Sequence, residues 1–137
     1  MQGPNMEDAK NIIKDITKRS FRYRTKNLIL YMTMAVARSF NVKHIYAVSN
    51  DGYYANNHVR RDRKLKTDFG AFWEEAGGHV TEDSRFYEIP LIEPRKIMEE
   101  VPTRKRAVYR KRFAFLDEVD AEIAARMDNI LLRSMKK

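Results

Sequence analysis

The sequence predicts an α/β domain: a small mixed sheet with packed helices and a long C-terminal helix. Three observations predict it. Two amphipathic segments run into a short β-branched and aromatic stretch, "HIYAVSN" (His44 to Asn50), that closes on Ser-Asn-Asp-Gly. Two further short stretches, "HVTE" and "RFYEIPL", flank Asp83-Ser84 as the strands of a hairpin do. Beyond Pro102-Thr103, an apolar line advances in steps of three and four through Phe113, Leu116, Val119, Ile123, Met127 and then Ile130 or Leu131.

Taken in order, Glu7 to Arg19 reads as the first helix. Ile12, Ile13 and Ile16 share a face, acids sit at its start and cations at its end, as the helix dipole prefers. The second helix, Lys26 to Phe40, repeats Leu28, Tyr31, Met32, Ala35, Val36 and Phe40 near the helical period, and Asn41 stops it. A helix that delivers the chain to a strand is the second half of a β-α-β unit, so a parallel strand is expected before it. No segment ahead of the first helix reads as that strand; Met1 to Pro4 is at most its end. Asp51 to Lys66 is a long polar connection. The third helix spans Asp68 to Ala76, with Thr67 or Asp68 as N-cap, Gly77-Gly78 as stop, and Phe69, Phe72, Trp73 and Ala76 on its inner face. The last helix covers Arg104 to Arg133.

The 137 residues suit one domain. Lys and Arg number 27 against 19 acids, a formal charge of +8, which favours an anionic partner: nucleic acid, a membrane surface or a phosphorylated small molecule. With no cysteine, disulfide scaffolds, thiolate zinc sites and cysteine nucleophiles are excluded. The longest apolar stretch, Leu28 to Ala37, is half of the ~20 residues that a bilayer span needs. No signal-peptide pattern opens the chain, so a cytoplasmic location is expected.

Three basic clusters stand out. Lys18, Arg19, Arg22, Arg24 and Lys26 join the first two helices. Arg60, Arg61, Arg63, Lys64 and Lys66 lead into the third. Arg104, Lys105, Arg106, Arg110, Lys111 and Arg112 open the long helix, where the dipole disfavours cations. Pairing with Glu99 and Glu100 would compensate, and so would an anionic ligand or surface; pairing is the simpler expectation. Asp117, Glu118 and Asp120 read as a solvated helix face. His44, His58 and His79 lack metal-ligand spacing, and no nucleophile elbow, P-loop or dinucleotide pattern occurs, so neither a metal nor a cofactor is implied. Tyrosines lie near the cations, but without a helix-turn-helix, zinc-finger or ribonucleoprotein signature, specific nucleic-acid recognition is not expected.

The order of "HIYAVSN", "RRDRKLKTDFGAFWEEAGG", "FYEIPL" and "EEVPTRKRAVYRKRFAFLDEV" resembles the C-terminal half of the VirK/YbjX family, bacterial proteins with a domain of unknown function. The resemblance implies a role in virulence, envelope integrity or resistance to antimicrobial peptides, and no catalytic residue. Family members are longer, so residues 1–137 are expected to form a single domain that is the C-terminal part of a larger protein. A weaker resemblance, of fold alone, is to the back half of the GNAT acyltransferases. It implies a coenzyme A or acyl-carrier ligand near Asn50, the cationic lead-in Arg60 to Lys66, and Trp73. Departures from that pattern are plain. The loop between Asn50 and Phe72 is long, and Trp73 stands where a tyrosine acid often sits and cannot donate a proton at neutral pH. The glycine-rich pyrophosphate loop is missing. A strand without its parallel neighbour leaves an open edge, so the chain is expected to be marginal alone, to dimerise, to pair with a missing N-terminal half, or to cover that edge with a helix.

Overall fold

In the computed structural model, residues 7–53 and 68–135 are described. Among these residues four helices and three strands follow in the order α1 (Ala9–Arg19), α2 (Thr25–Ser39), β1 (Ile45–Val48), α3 (Phe69–Glu75), β2 (His79–Val80), β3 (Phe86–Ile89) and α4 (Arg106–Met135). Single 3-10 turns at Met98–Glu100 and Thr103–Lys105 lead into α4.

The sheet has the order β1-β3-β2, with β3 antiparallel to both neighbours. The hairpin expected around Asp83-Ser84 is the β2–β3 pair, in which His79 faces Glu88 and Val80 faces Tyr87. Every pairing among the described strands is antiparallel; the parallel neighbour that would make the sheet mixed is not among the described residues. Among the described residues β1 is therefore an edge strand. Its Ile45 and Ala47 turn inward with Tyr87 and Ile89, and Tyr46 and Val48 turn outward, the alternation that period-2 geometry requires.

The core has two centres on either side of α2. Leu30 and Met34 pack with Ala76 and Ile89, joined by Phe72, Trp73 and Tyr87, which fixes α2 and α3 on one face of the sheet. Around the helix from these, Tyr31 meets Tyr23 and Leu116, with Leu28, Phe113 and Phe115 at the margin, which fixes α4 on α2. Leu116 is the one side chain of α4 that is fully buried among the described residues.

Local stops and caps follow sequence chemistry. Asp68 caps α3 by accepting from the Ala71 N–H at 3.1 Å. Gly77, at φ +89°, donates to the Glu74 carbonyl, and Gly78 donates to the Trp73 carbonyl, the paired bonds of a Schellman stop.

Two expectations need correction. The inward face of α2 is Leu30, Tyr31, Met34 and Ala35, whereas Met32 and Phe40, assigned to that face from sequence, are exposed. α2 is apolar on all sides, so its period does not reveal which side is buried. The apolar line of α4 also overstates its burial: Ile130 is exposed and Leu131 only half-buried. Its one fully buried side chain among the described residues, Leu116, lies in the first half of the helix.

Candidate anion-binding face

The connection between α1 and α2 is unusual. Phe21 and Arg22 both have positive φ, 54° and 61°, a region that L-residues other than Asn and Asp seldom occupy. The surroundings hold the turn in this shape. Arg112 of α4 donates from Nε to the Phe21 carbonyl at 3.1 Å. The Phe21 ring meets Phe115 edge-on at 5.9 Å. The Arg112 guanidinium lies over the rings of Tyr109 and Tyr23, at 4.4 and 5.5 Å. Tyr23 is buried, and its hydroxyl donates to Glu93 Oε1 at 2.5 Å. Burial, reinforced by that carboxylate, pushes the Tyr23 hydroxyl well above the ordinary tyrosine range, so it remains a donor.

This docking joins two basic clusters that are far apart in sequence. Lys18, Arg22 and Arg24 around the turn, and Arg104, Lys105, Arg110 and Lys111 at the start of α4, are all exposed and make no ion pair among the described residues. The remaining members of both clusters have structural partners. Arg19 pairs with Asp15 at 3.1 Å, and Lys26 lies over the Phe72 ring at 4.6 Å. Arg106 donates to the carbonyls of Val101 at 3.0 Å and Glu99 at 3.4 Å. The expected pairing of the α4 cluster with Glu99 and Glu100 is therefore replaced by two backbone bonds from Arg106, Arg112 is taken up at Phe21, and Arg104, Lys105, Arg110 and Lys111 stay exposed.

The second polar site is a cleft of about 410 Å³ lined by Tyr31, Arg38, Ile92, Glu93, Arg95, Asp117 and Asp120. Its charges are matched internally. Arg38 bridges the Leu91 carbonyl and Asp120. Arg95 donates to Asp117 Oδ1 at 2.7 Å and to the Tyr31 hydroxyl at 3.1 Å, and Tyr31 donates to Asp120 Oδ2 at 3.3 Å. Burial raises the Tyr31 hydroxyl above its usual value, and the nearby Asp120 charge adds to the effect. With every carboxylate answered by a donor, the cleft acts as a clasp between α2, the segment after β3, and α4. Asp117 and Asp120, read from sequence as a solvated face, are its α4 side.

The other sequence candidates are placed as follows. Asn50 accepts the Phe69 N–H on Oδ1 at 2.8 Å and so steadies the start of α3. Trp73 donates its indole N–H to the Val48 carbonyl at 3.0 Å, tying α3 to β1. Arg60, Arg61, Arg63, Lys64 and Lys66, and also His58, lie outside the described residues. His44 and His79 both approach Glu88, at 2.7 and 3.4 Å, and the His44 contact draws the Glu88 carboxyl below its ordinary value. Among the described residues, no group of three or more His, Cys, Asp or Glu is arranged to hold a metal ion. None of their helices is long and apolar enough to cross a membrane.

Comparison with known proteins adds a family. A profile for the family described as "Protein of unknown function (DUF535)" matches residues 1–125. The chain is similar to "Uncharacterized protein YbjX" of Escherichia coli K12, 32% identical over 126 residues that make up 90% of this chain and 38% of that one. Two uncharacterized proteins of Haemophilus influenzae match at 26% and 24% identity, over 87% and 90% of this chain and 39% and 41% of theirs. The chain thus spans about two fifths of the length of the curated relatives that it matches. No solved structure matches it.

Proposed function

The chain belongs to the DUF535 family, and on that premise we propose that it engages an anionic membrane surface through the joined basic face. The setting is the one that the VirK/YbjX resemblance implies: envelope stress, virulence or resistance to antimicrobial peptides. A cytoplasmic chain would meet such a surface at the inner leaflet, whose lipids carry negative charge.

One observation carries the reading: the Arg112 Nε bond to the Phe21 carbonyl, which brings the α1–α2 turn into contact with the first turns of α4. The cations there are exposed and make no ion pair among the described residues. A spread of solvated Lys and Arg suits a planar anionic surface better than a single phosphate. α1 adds an apolar element: Ile12 and Ile16 are exposed beside Arg19, as in a basic amphipathic helix that lies at a lipid interface.

The test is sedimentation with vesicles. The chain is expected to bind vesicles rich in phosphatidylglycerol, to release as salt rises, and to ignore phosphatidylcholine vesicles. Each basic residue close to an anionic surface contributes about 1 kcal/mol, so reversing Arg104, Lys105, Arg110 and Lys111 to Glu should weaken binding at least roughly tenfold. An unchanged affinity, with the fold intact by circular dichroism, rejects the reading. Binding to nucleic acid but not to vesicles would assign the face to a different partner.

A further inference from the structure

α2 is apolar on the side away from the core as well as towards it. Ile29, Met32 and Phe40 are 48%, 41% and 54% exposed, and with the half-buried Val36 they form one stripe three turns long. The sheet core and α4 take the opposite sides of the helix, so among the described residues nothing covers this stripe. A helix that is hydrophobic all round belongs inside a protein, not at its surface.

The strand that follows α2 is open as well. Ser49 donates to the Arg85 carbonyl at 2.8 Å, which makes Ser49 and Arg85 a hydrogen-bonded pair. In an antiparallel ladder these alternate, so the backbone groups of Tyr46 and Val48 point away from β3. The Val48 carbonyl is answered by the Trp73 indole. The Tyr46 N–H and C=O have no partner among the described residues, and the residue is 58% exposed.

We infer that the outer stripe of α2 and the free edge of β1 form one docking surface for the remainder of the DUF535 protein. Two observations choose this occupant. Helix followed by strand is the back half of a β-α-β crossover, whose front strand lies parallel and next to the second. The relatives are long enough to supply both that strand and an apolar layer over α2, since this chain accounts for only 38–41% of their length. Its residues are not those of the basic face.

The experiment compares this chain with full-length YbjX. Ile29→Asp with Met32→Asp should leave the thermal midpoint of this chain unchanged and lower that of YbjX, altered at the aligned positions, by several degrees. Equal effects in the two proteins, whether nil or large, overturn the inference. A shift of this chain from dimer to monomer by light scattering, with YbjX unaffected, also overturns it and makes the stripe a self-association face. A measurement on unmutated proteins keeps the idea testable if the YbjX variant does not fold. The Tyr46 amide should exchange fast in this chain, and its counterpart in YbjX on the order of a hundredfold more slowly. Matching rates contradict a paired edge.

Discussion

Leu116→Ala lowers the unfolding free energy by about 3 kcal/mol, within the range for a buried leucine whose site cannot fully collapse. Leu116 is 1% exposed and is wedged between Tyr23 and Tyr31. Both rings are held by their hydroxyls, to Glu93 and to Asp120, so neither is free to swing into the void. α4 has no other fully buried side chain among its described residues, so loosening this contact loosens the whole helix. The consequence reaches the basic face, because Arg112, one turn before Leu116, is what holds Phe21. Urea unfolding measures the stability loss. Vesicle binding by the variant should weaken although no charge has changed. A variant as stable as the parent would mean that α4 is held elsewhere.

Asp120→Ala has the second largest expected effect, about 1–2 kcal/mol. The change leaves Arg38 without its carboxylate and removes the acceptor of the Tyr31 hydroxyl. Arg38 and Asp120 are 28% and 36% exposed at their side chains, so water partly replaces what is lost, which keeps the cost below that of a fully buried pair. Asp120→Asn keeps the shape and one acceptor and should cost about half as much. In the alanine variant the Tyr31 hydroxyl should titrate at lower pH, because the adjacent negative charge that helps to hold it protonated is gone. A spectrophotometric titration checks the sign. A rise instead of a fall would show that Arg95, which acts in the opposite sense, is displaced with the carboxylate.

The elements were legible in the sequence wherever local chemistry decides them. Gly77-Gly78 can stop a helix in only a few ways, and the structure has one of them. Alternation and a polar turn placed the β2–β3 hairpin, and β-branched residues before Ser-Asn-Asp-Gly placed β1. The inner face of α2 was not legible, since a helix with Ile29, Leu30, Met32, Met34, Val36 and Phe40 offers several equally apolar sides. What covers each side is settled by the sheet and by α4, not by periodicity.

The candidate sites divide in the same way. A cluster of cations opening a helix against its dipole was a visible anomaly, and it marked Arg104 to Arg112. That this cluster meets the α1–α2 turn was not visible, because the contact spans 91 positions and rests on two residues with positive φ that carry no glycine. The clasp was equally hidden: Arg38 and Asp120 are 82 residues apart, and Tyr23 and Glu93 are 70 apart. Nothing local distinguishes a solvated aspartate on a helix from one that a distant arginine will find.

The most direct measurement is a backbone amide NMR spectrum of the isotopically labelled chain with and without small bicelles rich in phosphatidylglycerol. If one continuous face meets the lipid, the resonances of Lys18 to Arg24 and those of Arg104 to Lys111 shift and broaden together, at the same lipid concentration, and recover together as salt is added. Perturbation of one segment without the other, or of neither, would show that the two basic clusters do not act as a single surface.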